Sequence, residues 1–150
     1  PLYLLDLSRR GATPQPIEAL ANTNANSAVW GADGAIYFLM KAGERDQLHR
    51  MSVGGTPQKI SDFGAEVSGF KLSPAGDRVI VWADRPLGCP DLACAGGAQP
   101  ARPQGSGQVH DQLFVRHWDT WVEPGTRSRI FSFPVANGQL TGAGVPITGG

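Results

Sequence analysis

The chain has 150 residues, 41% hydrophobic and 17% charged, enough for one ordinary domain with a sizeable core. Thirteen basic and thirteen acidic side chains cancel and no basic run stands out, which argues against nucleic acid or an anionic membrane as partner. The apolar stretches fall far short of the roughly 20 residues a membrane-spanning helix needs.

Twenty Gly and twelve Pro are set between short apolar runs, the punctuation of an all-β protein. Pro1 is followed at once by Leu2-Tyr3-Leu4-Leu5-Asp6-Leu7, a strand already under way, with no initiator Met and no secretory leader. Thr148-Gly149-Gly150 reads as a turn, so both ends are expected to be cuts through a longer polypeptide. After the first strand, Thr13-Pro-Gln-Pro-Ile17 opens an outer strand near 15–20. Strands follow near 27–31, 35–40, 47–53 and 57–62. A third set lies at 67–72, 78–83, 129–135 and 144–148, interrupted by an insertion at 84–128.

The sets repeat. Trp30-Gly-Ala-Asp-Gly34-Ala-Ile36-Tyr-Phe-Leu39 aligns with Leu72-Ser-Pro-Ala-Gly76-Asp-Arg-Val79-Ile-Val-Trp82, with the two glycines 42 residues apart. Each unit is strand, tight turn, strand, and the Gly supplies a positive φ. The outer halves recur as well: Leu2–Leu7 leads to Ile17, Leu48–Val53 to Ile60, and Ile130–Val135 to Ile147. A period in the low to mid forties with four short strands per unit predicts propeller blades. With strands named A to D outward from the axis, residues 1–20 supply C and D of one blade, 27–63 a whole blade, and 67–148 another carrying the insertion. The expected fold is therefore all-β, a partial β-propeller of about two and a half four-stranded blades. Strand B is apolar on both faces, Ile36-Tyr-Phe-Leu39 and Val79-Ile-Val-Trp82, as a strand packed between two neighbouring blades must be. A β-sandwich of irregular spacing is the competing architecture.

Within the insertion, Pro86 to Gly107 reads as an irregular loop. Asp111-Gln-Leu-Phe-Val-Arg-His-Trp-Asp-Thr-Trp121 spaces Phe114, Trp118 and Trp121 at i, i+4, i+7, which predicts a short helix with Asp111 as N-cap and Pro124-Gly125 as its end. Its tryptophans serve either to anchor the insertion on the propeller body or, with Arg116, His117 and Asp119, to shape a substrate passage. In an up-and-down blade the B–C loop shares a rim with the D–A connections, so the insertion enlarges that rim.

Cys89 and Cys94, five apart in a Pro- and Gly-rich loop, are placed to close a small disulfide, with free thiols as the alternative. They cannot complete a zinc site, since no His lies nearby, and His49, His110 and His117 show no metal spacing. No Gly-x-Ser-x-Gly elbow and no phosphate-cradling loop occur, so neither catalytic residues, a metal nor a cofactor is expected in this chain.

The segment Asp111-Gln-Leu-Phe-Val-Arg-His-Trp-Asp-Thr-Trp121, followed by Gly125-Thr-Arg-Ser-Arg-Ile-Phe131, closely resembles one in bacterial prolyl-oligopeptidase-family enzymes, most specifically in its Arg116-His-Trp-Asp-x-Trp121 string. These are the dipeptidyl aminopeptidase and acylaminoacyl peptidase types, including those called dipeptidyl peptidase 5. The Leu72-Ser-Pro-x-Gly76 hairpin is similar to repeats of their propellers, and TolB-like propellers share it. The resemblance implies a propeller covering a carboxy-terminal α/β-hydrolase domain whose Ser, Asp and His cleave short peptides. None of that triad falls within these residues. It further implies the remaining blades and the hydrolase domain as partners, a short peptide as substrate, and a periplasmic or secreted bacterial location. The Cys-containing loop departs from any general feature of that family. A non-catalytic TolB or WD-repeat binding scaffold is the alternative reading. An enzyme housed in the propeller itself needs clustered carboxylates on the inner strands, and residues 67–72 carry only Lys71.

Overall fold

The structure is a computed structural model and describes residues 1–89, 91–94, 116–117, 120–121 and 125–148. Strands β1 (Tyr3–Leu4) and β2 (Gln15–Pro16) pair antiparallel, and a 3-10 turn at Glu18–Leu20 follows. A second sheet runs in the order β3 (Asn26–Trp30), β4 (Ile36–Ala42), β5 (Arg45–Met51) and β6 (Gln58–Lys59). The next strands are β7 (Gly69–Leu72) and β8 (Arg78–Pro86), then the short β9 (Arg116–His117) and β10 (Thr120–Trp121), then β11 (Thr126–Ala136), β12 (Gln139–Leu140) and β13 (Val145–Pro146). The third sheet joins β7, β8 and β11, with β12 and β13 both on the outer edge of β11. The protein is thus all-β, and among the described residues these three antiparallel sheets form a partial β-propeller, with β9 and β10 a separate antiparallel pair.

The repeat read from the sequence recurs in the hydrogen bonds. In each sheet the isoleucine just past the outer strand donates its N–H to the strand inside it: Ile17 to Leu2 O, Ile60 to Leu48 O and Ile147 to Ile130 O, each at 2.9 Å. The two A–B turns match as well. Gly34 (φ +71) donates to Gly31 O, and Gly76 (φ +75) donates to Ser73 O. Both backbones are left-handed there, which a Cβ disfavours.

Face-to-face packing explains the strands that are apolar on both sides. Along β4, Ile36 and Phe38 join Ile17, Leu20 and Met51 in a cluster between the first two sheets, with Met40 packed against it. The alternate residues Tyr37 and Leu39 point the other way. They share a second cluster with Phe70, Val79, Val81, Phe131 and Phe133 of the third sheet. Trp82, opposite Gly69 in the ladder, lies across β7, and a Cβ at Gly69 would collide with its indole ring.

Three expectations need correction. The helix predicted at 111–121 is not what forms at its described positions: Arg116–His117 and Thr120–Trp121 are antiparallel strands, with Thr120 opposite His117 and Trp121 opposite Arg116. Aromatic and β-branched residues favour a pleated pairing as readily as a helical stripe, so an i, i+4, i+7 match over so short a run does not discriminate. The insertion is also shorter than 84–128, because β8 and β11 stay paired out to Pro86 opposite Thr126. The outer strands are shorter than expected too, two residues each, with the chain leaving the ladder straight after them.

Candidate functional site

One rim of the stack gathers the sheet-to-sheet connections and the start of the insertion. Asn24, on the way from β2 to β3, accepts from Lys41 N at 3.0 Å and donates to Asp46 Oδ1 at 3.2 Å, so it ties that connection to the β4–β5 hairpin. Val67, on the way from β6 to β7, donates to Asp46 O at 2.9 Å. Gly64 N donates to Leu92 O at 3.0 Å, which brings the start of the β8–β11 insertion onto the same connection. This is the placement expected of an up-and-down blade.

The connection from β6 to β7 is held from beneath by a buried polar network. Gln47 Nε2 donates to Phe63 O and Ala65 O, while its Oε1 accepts from Phe63 N and from Ser61 Oγ, both at 2.9 Å. Ser61 Oγ in turn accepts from Leu48 N at 2.8 Å. The Gln47 side chain is therefore fully used at both ends, the condition under which a polar group is buried without penalty.

The insertion leaves the sheet through a second buried polar group. Arg85, 3% exposed, lies near the end of β8. Its Nε donates to Asp91 O at 3.0 Å, and its Nη2 donates to Cys89 Sγ at 3.2 Å and to Cys94 O. Burial holds its pKa below the ordinary arginine value. Cys89 and Cys94 are bonded to each other, with Cα atoms 5.8 Å apart. Asp91 Oδ1 accepts from Ala93 N and Cys94 N, which shapes the turn between them, and Leu92 is packed into the core. Arg129 Nε, on β11, is buried without a hydrogen-bond partner among the described residues.

Of the residues singled out in the insertion, Arg116, His117 and Trp121 are brought together by the β9–β10 ladder, with Trp121 opposite Arg116. Trp118, Asp119, Asp111, Phe114 and His110 lie outside the described residues. On the inner side, β3 is exposed along its whole length. An open cleft of about 410 Å3 lies between it and β7, lined by Val29, Trp30, Lys71, Leu72, Ser73 and Pro74. Trp30 there is 59% exposed.

The opposite rim carries a different cluster. Asp33 Oδ2 accepts from Arg50 Nε at 2.9 Å, from Arg50 Nη2 at 2.7 Å and from Tyr37 Oη at 3.1 Å. Burial pushes the Asp33 carboxyl up, but Arg50, the Ala35 N–H and Tyr37 together outweigh it and hold the carboxyl below its ordinary value. His49 is a packing residue. Its ring stacks on Phe38 with centroids 5.8 Å apart, Nδ1 bonds Gln47 O at 3.0 Å, and burial lowers its pKa. Among the described residues no group of three or more His, Cys, Asp and Glu is placed to hold a metal ion, and no helix is long and apolar enough to cross a membrane.

No protein-family model matches the chain, and no curated protein matches it. Sequence reasoning missed Arg85 and Gln47. The one signal for Arg85 was available: an arginine at the alternating inward position of a strand that reads Val79, Val81, Ala83 on its buried face.

Proposed function

We propose that this chain is the propeller segment of a serine peptidase of the prolyl oligopeptidase family, of the dipeptidyl aminopeptidase or acylaminoacyl peptidase type. In this reading it gates the passage of short peptides to a separate α/β-hydrolase domain of the same polypeptide. The observation that carries the reading is the Arg116-His-Trp-Asp-Thr-Trp121 string, set in an insertion that leaves one blade at the rim where the sheet-to-sheet connections gather. The exposed inner strand β3 with Trp30, and Lys71 of β7 beside the same open cleft, suit a wall facing a peptide passage. A disulfide between Cys89 and Cys94 suits a periplasmic or secreted bacterial enzyme. The remaining blades would cover the outer face of β8, where Ile80 and Trp82 are only half-buried.

The test is active-site labelling of the longer polypeptide that carries this segment. A fluorophosphonate should label that polypeptide on a serine outside these residues and inhibit cleavage of dipeptidyl or acylaminoacyl substrates, and it should leave the isolated segment unlabelled. Labelling of the segment, or a parent that resists the reagent, would overturn the proposal. An unlabelled parent favours the TolB-like binding scaffold instead.

A further inference from the structure

The disulfide at the rim is built asymmetrically. Cys89 is 2% exposed, whereas Cys94 is partly open to solvent. The cation beside them is hydrogen-bonded to the buried sulfur: Arg85 Nη2 lies 3.2 Å from Cys89 Sγ. Arg85 is deeply buried, its other bonds go to the carbonyls of Asp91 and Cys94, and the Asp91 carboxylate acts on it through space without a salt bridge among the described residues. Among the described residues no anion is in direct contact with this guanidinium, and a thiolate on Cys89 Sγ would be one. A cation in contact stabilises a thiolate, and the effect grows where water is excluded.

We propose that Cys89–Cys94 is a thiol–disulfide exchange site, with Cys94 the sulfur attacked by an external thiol and Cys89 the leaving thiolate received by Arg85. The thiolate of a low-molecular-weight thiol such as glutathione attacks Cys94 Sγ. The Cys89–Cys94 bond breaks, and its electron pair goes to Cys89 Sγ. A mixed disulfide forms on Cys94. A second thiol molecule then attacks the sulfur of the first, releases Cys94, which takes up a proton, and leaves as the oxidised disulfide. Two electrons enter the protein and two thiols are oxidised. A stabilised leaving thiolate speeds such exchange.

The loop is also prepared to close again. Asp91 Oδ1 fixes the turn through Ala93 N and Cys94 N, and neither bond depends on the sulfurs. The consequence reaches the rim itself, because the same loop seats Leu92 in the core and offers Leu92 O to Gly64 N. The exchange therefore takes place at the seam between the insertion and the β6–β7 connection. This inference is independent of the peptidase reading.

The oxidised full chain is treated with a limiting amount of glutathione, quenched in acid and mapped by peptide mass. Glutathione should be found on Cys94, and its appearance on Cys89, or equally on both, overturns the proposal. Arg85→Gln should slow reduction at neutral pH about tenfold and Arg85→Lys should restore most of the rate, since a lost cation raises the leaving-group pKa. An unchanged rate in a folded Arg85→Gln chain overturns it. Should Arg85→Gln fail to fold, Cys94→Ser decides the matter. Its Cys89 thiol, followed by thiolate absorbance, should titrate below the ordinary value of about 8.5, and titration at or above that value overturns the proposal.

Discussion

In β4, Ile36, Tyr37, Phe38 and Leu39 are all buried, whereas in β8 burial alternates: Val79 and Val81 are inside, and Ile80 and Trp82 are half-exposed. The two runs are almost interchangeable as sequence, being uninterrupted apolar residues after a glycine turn. They differ in their surroundings. A sheet lies on each side of β4, through the clusters around Phe38 and around Leu39, while β8 has the second sheet on one side only. The lesson concerns what a two-sided apolar strand encodes. It states a requirement for two neighbours, and among the described residues only one of the two strands has both.

The largest effect should come from testing that difference directly. Phe38→Ala should cost about 3–5 kcal/mol of unfolding free energy, because it empties a fully buried aromatic site. Ile80→Ala should cost about 1 kcal/mol or less in the same chain. Urea denaturation of both variants checks this, and equal losses would break the comparison. Under the proposed function the gap should narrow in the longer polypeptide, where a further blade covers Ile80.

Two substitutions of intermediate effect probe how each sheet is joined to its surroundings. Gln47→Ala removes the support of the β6–β7 connection and leaves Phe63 N–H and Ala65 C=O without their partner, at a cost of about 1–3 kcal/mol. Hydrogen exchange at Phe63 should accelerate in parallel. Gly69→Ala forces the Trp82 indole off β7 and should cost about 1–3 kcal/mol, read from thermal denaturation and from Trp fluorescence.

A smaller effect is expected from pH. His49 is held below its ordinary pKa by burial between the first two sheets, so the unfolded chain takes up its proton before the folded one does. Stability from this residue is complete above the unfolded value of about 6.5 and is lost as pH falls below it. His49→Phe should flatten the decline of the urea midpoint over that range, and an unchanged slope would assign the decline to other groups. The smallest effect belongs to the opposite rim. Asp33→Asn breaks an ion pair whose carboxylate side chain is 37% exposed, and should cost no more than about 1 kcal/mol, diminished further by salt.

The repeat was legible before any coordinates because it is local chemistry. Glycines at 34 and 76 set left-handed turns, short apolar runs flank them, and isoleucines at 17, 60 and 147 mark where each outer strand ends. A period of this kind survives translation into structure, since every unit closes its own hydrogen bonds with near neighbours. The insertion was far less legible. Its aromatic spacing suits a helix, yet Arg116–His117 and Thr120–Trp121 pair as strands, a choice that a short segment leaves to its packing partners.

By itself, then, the sequence determined the strands, the tight turns and the four-strand unit, all of which depend on backbone preferences and side-chain period over a few residues. It determined, too, that two strands need apolar company on both faces. Only the tertiary structure decided that Gln47 supports the β6–β7 connection and that Arg85 bonds Cys89 Sγ at the start of the insertion. Those contacts join residues from different strands and loops, brought together when the sheets stack, and the energy of a buried polar group depends on that company more than on its own position in the chain.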